Sequence, residues 1–175
     1  WHLKLTATKD TQVWIRLARP QLIGKFGPAV RTADLYHWLW SAEGPDSGFD
    51  LELHAGATTY VSATIPYGVE DLRFWCHRLR EGIRTETLTT SEGGRKVLIL
   101  RVGEPSADRV ILLTCRHHAG EAMASFVLEG ALEEFRTLHR DENPTARRSE
   151  LIAVPLMDID GVHRGDPGKT RTPWD

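Results

Sequence analysis

His118 and Glu121 stand three residues apart, and both side-chain types are ordinary zinc ligands. On a helical or turn-like backbone, positions i and i+3 face the same way, with Cβ atoms about 5–6 Å apart. An imidazole nitrogen and a carboxylate oxygen so placed can converge on one divalent cation. Gly120 between them suits a sharp change of chain direction. The spacing alone is weak, because 8 histidines and 13 glutamates in 175 residues give ~0.6 His-x-x-Glu matches by chance. His139 and Glu142 repeat the spacing, but they fall at the polar end of a helical stretch and read as solvated surface. The 118/121 pair follows an apolar run and opens a helical one. The bland alternative is a satisfied histidine beside a carboxylate favoured by a helix N-terminus.

Those flanking runs predict the elements that must position the pair. Arg109 to Thr114 is nearly all apolar, the pattern of a strand buried on both faces. A long helix is expected from about Glu121 to His139, with Val127/Leu128, Ala131/Leu132, Phe135 and Leu138 as its apolar face. Arg140 to Ser149 is polar, contains Pro144, and reads as a loop. Leu151 to Leu156 is a second apolar strand. Strand, helix and strand with short links form a crossover unit with two parallel strands, and in such sheets ligands bind beyond the carboxyl ends of the strands. Arg116 to Glu121 occupies that position. Upstream, Ile83–Thr89 and Lys96–Val102 read as strands joined by the turn Glu92-Gly93-Gly94-Arg95.

The first third differs in period. Trp1–Leu5, Val13–Leu17, Leu51–Ala55 and Thr58–Ile65 read as short strands, separated by turn signals at Lys9-Asp10, Gly24–Pro28 and Glu43–Gly48. They suggest a small all-β sandwich over residues 1–67, with Trp38 and Trp40 expected in its core or at a domain interface. Val69, Leu72, Trp75, Cys76 and Leu79 form one helical stripe, so a linking helix is expected over 68–82, and the α/β part over 83–175.

Composition fits a globular protein: 41% hydrophobic and 26% charged residues, with a net charge of −2. The lack of a basic surplus argues against a nucleic-acid or anionic-membrane partner. No stretch approaches the roughly 20 apolar residues of a membrane span. Nothing in the pattern fixes an oligomeric state. Cys76 and Cys115 are too few for a disulfide framework, and Cys115 reads as a small buried strand residue. A reducing, cytoplasmic setting is expected.

Thr114-Cys115-Arg116-His117-His118-Ala119-Gly120-Glu121, followed by Ser125 and Gly130 on the helix, resembles the zinc carboxypeptidases, and most closely their cytosolic-carboxypeptidase subgroup. That subgroup carries Arg-x-His-Pro-Gly-Glu between strand and helix, with Ala119 here in place of the proline. Val154-Pro155-Leu156-Met157-Asp158-Ile159-Asp160-Gly161-Val162 resembles the family's Val-Pro-x-x-Asn-Pro-Asp-Gly-Val, with Asp158-Ile159 standing for Asn-Pro. Thr64-Ile65-Pro66-Tyr67 resembles the end of the subgroup's N-terminal β-domain. The resemblance implies a fold of an N-terminal all-β sandwich followed by the first part of an α/β zinc-carboxypeptidase domain, a mixed sheet with flanking helices. It implies zinc as cofactor, His118 and Glu121 as the first two ligands, and hydrolysis of the C-terminal peptide bond of a peptide or protein by a zinc-activated water.

The family's third histidine ligand, general-base glutamate and Asn-Arg pair have no counterpart before Asp175. The chain is therefore expected to be the N-terminal part of a longer enzyme and inactive alone. Lys169 and Arg171 lie near the family's carbonyl-polarising arginine, and Arg116 is a third candidate for substrate binding at the rim of the site. Two rival readings are an N-acyl amino-acid deacylase of the aspartoacylase type and a non-catalytic adaptor retaining the fold. Gly168-Lys169-Thr170 is no phosphate loop, because His163 stands where that motif needs its first glycine.

Overall fold

The structure, a computed structural model, describes residues 2–18, 23–32, 37–41, 48–79 and 81–166. The chain divides into two compact units, Trp1–Pro66 and Tyr67–Asp175.

The first unit is built of strands β1 (His2–Thr6), β2 (Thr11–Arg16), β3 (Ala29–Thr32), β4 (Leu39–Trp40), β5 (Gly48–Leu53) and β6 (Thr58–Ser62). One antiparallel sheet runs β1-β6-β3-β4, and β2 pairs with β5 in a second. The alternation read in β5 is realised: Phe49, Leu51 and Leu53 are buried while Asp50 and Glu52 are exposed. Both sheets feed one apolar cluster, with Val61 of β6 at its centre and Leu5, Val13, Ile15 and Val30 around it. Neither tryptophan is in the core of this unit. Trp40 is exposed and Trp38 half-buried; Trp40 ends β4, a two-residue strand that among the described residues pairs with β3. Trp38 instead meets His2 edge-on at 5.5 Å and the Arg31 guanidinium at 5.3 Å, a cation–π contact. The turn expected at 43–48 lies outside the described residues up to residue 47.

The second unit opens with helix α1 (Val69–Arg78). The Gly68 N–H donates to Asp71 Oδ2 at 2.7 Å, and Glu70 and Asp71 sit in the first turn, where the helix dipole favours acids. Leu72 and Trp75 enter the core of this second unit, so the helix expected as a link packs as part of it. Strands β7 (Arg84–Thr90), β8 (Lys96–Val102), β9 (Arg109–Thr114) and β10 (Ser149–Val154) make a mixed sheet in the order β7-β8-β10-β9. β8 is antiparallel to β7 and β10, and β9 is parallel to β10, joined through helix α2 (Met123–Arg140) as the crossover reading requires. Leu100, Val102, Leu132, Leu151 and Ala153 fill the space between sheet and helices. Glu150, buried in β10, is paired by Arg84 at 2.8 Å and Arg101 at 3.4 Å, which satisfies a charge that burial would otherwise penalise.

Three expectations are corrected here. β9 is not buried on both faces: Val110 is 61% and Leu112 63% exposed, and β9 is one of the two edge strands among the described residues, where fewer neighbouring elements cover a strand's faces. On α2, Ser125, Leu128, Leu132 and Phe135 face the core while Val127 is 72% exposed, so the apolar stripe is narrower than the sequence suggests, and Leu138 is exposed as well. The stretch read as a loop holds a short helix, α3 (Pro144–Arg147), whose N-cap Asn143 accepts from Thr145 N and Ala146 N. Helix α4 (Ile159–Arg164) follows β10.

Candidate metal centre

The segment between β9 and α2 is tied down before it reaches the site. Cys115 N donates to Val154 O, Met157 N to Cys115 O, and Asp158 N to Arg116 O, at 3.2, 3.1 and 2.9 Å. The strand pairing thus continues one residue at a time past the end of β9. At Arg116 the backbone enters the left-handed region, with φ of 57°, which is uncommon for a residue with a Cβ. The positive φ of this segment falls at Arg116, while Gly120, expected at a sharp change of direction, has none. The chain then forms a turn in which Glu121 N donates to His118 O at 3.1 Å, and α2 begins two residues after Glu121.

That turn brings the two predicted residues together. His118 Nδ1 lies 3.1 Å from Glu121 Oε1, with the side chains 35% and 42% exposed. Two ligand atoms on a tetrahedral zinc, each about 2.0–2.1 Å from the ion, are about 3.3 Å apart. The two side chains are hydrogen-bonded to each other, and their donor chemistry, separation and access from solvent also suit a shared zinc. Among the described residues no third His, Cys, Asp or Glu joins them. His117 turns aside, its Nε2 2.9 Å from Thr114 Oγ1.

Arg116, expected at the rim, is 3% exposed. Its Nε donates to Ala119 O at 3.2 Å, its Nη2 to the same oxygen, and its Nη1 to Tyr67 O at 2.9 Å and Ser125 Oγ at 3.1 Å. Burial pulls its pKa below the usual guanidinium value. Behind it, the Tyr67 hydroxyl donates to Glu129 Oε1 at 2.5 Å. Burial, reinforced by that bond and by the carboxylate charge, raises the Tyr67 pKa, and burial raises that of Glu129. Cys115 is buried, its thiol donates to Pro155 O at 2.9 Å, and burial raises its pKa. A thiol so held is a packing group, as the sequence suggests.

The second motif also has a structural task. Asp158 Oδ1 caps α4 by accepting from Gly161 N at 3.0 Å, which an asparagine there could do equally. Asp160 reaches the β7–β8 turn, accepting from Gly93 N at 2.7 Å, Ser91 Oγ at 2.9 Å and Arg95 Nη1 at 2.9 Å. A Cβ on Gly93 would crowd the Arg95 guanidinium and stand 2.5 Å from Asp160 Oδ1, so a larger residue there would push both side chains out of this arrangement. The Ser125 and Tyr67 contacts and this Asp160 anchor escape local reading; their only signal lies in the motifs that contain them. Lys169 and Arg171 lie outside the described residues.

The zinc carboxypeptidase family model (peptidase M14) matches residues 77–174, more than half of the chain, which therefore belongs to the zinc carboxypeptidase family. Cytosolic carboxypeptidase 2 of Danio rerio is 27% identical over 148 residues, covering 75% of this chain and 19% of that protein. A metallo-carboxypeptidase of Pseudomonas aeruginosa, solved with (2-guanidinoethylmercapto)succinic acid, has a TM-score of 0.71 at 23% identity over 95% of this chain and 48% of the other. One from Burkholderia cenocepacia gives 0.70 at 20% identity over 95% and 48%. At such identities the structural likeness is one of fold. The chain spans about a fifth of the curated relative and about half of the solved chains.

Proposed function

We propose that this chain supplies the first two zinc ligands, His118 and Glu121, of a metallocarboxypeptidase that removes C-terminal residues from peptides or proteins. The observation that supports this reading best is the 3.1 Å convergence of His118 Nδ1 and Glu121 Oε1 inside the stretch the family model matches. A neutral imidazole donates a nitrogen lone pair and the carboxylate contributes negative charge, leaving coordination to be completed from outside the described residues. Zinc bound there would supply Lewis acidity toward water and the scissile carbonyl. We assign to Lys169 and Arg171 substrate binding beside the scissile carbonyl, which a cationic side chain can polarise. We take the first unit to be a small β-sandwich, and a cytoplasmic setting agrees with the Danio rerio relative. The family match does not favour the deacylase reading.

In the full-length protein, His118→Ala removes bound zinc, read by elemental analysis; undiminished metal would reject the ligand assignment. Peptide substrates lose single residues from the C-terminus in a mass spectrum. Internal cleavage products would reject exopeptidase action.

A further inference from the structure

We propose that Arg116 is a positioning residue for the metal turn, acting through the Ala119 carbonyl to set the approach of His118 and Glu121. The proposal rests on the zinc reading above. One guanidinium joins three segments: the 118–121 turn at Ala119 O, the lead into α1 at Tyr67 O, and the first turn of α2 at Ser125 Oγ. Ala119 lies between the two ligands in sequence, so fixing its carbonyl fixes the peptide plane inside the turn closed by His118 O and Glu121 N. The backbone is bent to allow it. The left-handed φ at Arg116 turns this side chain into the protein interior while His118 stays accessible at 35% exposure.

Charge alone would make this arginine a liability. A buried cation disfavours a second cation nearby, and its hydrogen bonds go to neutral oxygens rather than to a carboxylate. What it offers is a rigid planar fork that can hold several acceptors at fixed angles, which a lysine ammonium on a flexible stem cannot reproduce. Supports of this kind behind metal ligands are typically worth 10–100-fold in metal affinity.

The test measures zinc affinity of the full-length protein by competition with a chromogenic chelator, and records the visible spectrum of the cobalt-substituted form. Arg116→Lys keeps the charge and loses the fork; Arg116→Met loses both; Ser125→Ala keeps both and removes one anchor. Positioning predicts zinc binding about 10–100-fold weaker in the first two, a smaller loss in Ser125→Ala, and displaced cobalt bands in Arg116→Lys. Should the arginine act only by its charge, Arg116→Met would bind zinc as tightly as the parent or more tightly, which overturns the proposal. Unchanged affinity and cobalt spectrum with only a lower melting temperature of the metal-free form would also overturn it. If Arg116→Lys fails to fold, Ser125→Ala decides. His118→Ala separates the two levels: if it still binds zinc, the zinc reading falls and this proposal with it; if it loses zinc while Arg116→Lys does not, this proposal falls alone.

Discussion

Asp160 shows how one side chain can carry more than its local motif suggests. It sits in a helix of six residues, yet three groups of the distant β7–β8 turn converge on it. The Gly93 N–H is foremost in holding its carboxyl below the usual aspartate range, with Ser91 and Arg95 adding to it. The sign follows from linkage. A carboxyl whose folded pKa is depressed stabilises the fold above its unfolded value, about 3.9, and that contribution is lost as pH falls through the lower folded value. Asp160→Asn therefore melts at a lower temperature than the parent at pH 7. The gap narrows as pH falls below about 4, where the unfolded chain's carboxyl takes up its proton, and it stops changing once pH has passed below the depressed folded value. Thermal melts of both proteins across that range check it; a gap that stays constant would mean the carboxylate charge plays no part.

At the scale of elements, the predicted crossover and the observed one agree because both rest on local pattern. β8 and β9 run between the residues read from apolar periodicity, and α2 joins parallel strands as short links require. The His118–Glu121 pairing was legible for the same reason, since i and i+3 geometry is local. Arg116 was not, because its acceptors include Tyr67, 49 residues away, and no window of sequence holds both. Burial of β9 was misread because a continuous apolar run states what a strand needs, not which neighbours it has. Helix α3 was overlooked although its signals are local: Asn143 caps it and Pro144 occupies its first turn, where proline needs no donor. Asn143→Ala leaves Thr145 N and Ala146 N without their acceptor, a loss typically of about 1 kcal/mol. Ser149 Oγ at the start of β10 donates to Thr145 O at 2.8 Å, so α3 is also tied to the N-terminal end of that strand. Chemical denaturation reads it as a lower midpoint with an unchanged slope.

For these 175 residues taken by themselves, the exposed apolar surface favours association in solution. Val110, Ile111 and Leu112 of β9 are 61%, 39% and 63% exposed, and Val127 of α2 is 72% exposed. β9 also pairs on one side only among the described residues, leaving a row of backbone donors and acceptors open to another chain. Neither a charge nor a proline interrupts the run from Val110 to Leu113, so the usual protection of an edge strand is missing. The net charge of −2 gives little repulsion between copies. The 175-residue chain should therefore associate with itself as concentration rises, weakly opposed by low salt, because the attraction is apolar rather than ionic. Leu112→Lys places a charge on the open strand at a site too exposed to contribute to the core, so it should lower association while leaving the melting temperature nearly unchanged. Sedimentation velocity over a concentration series reads the first effect, and a thermal melt the second. Association undiminished in the variant would locate the contact away from β9.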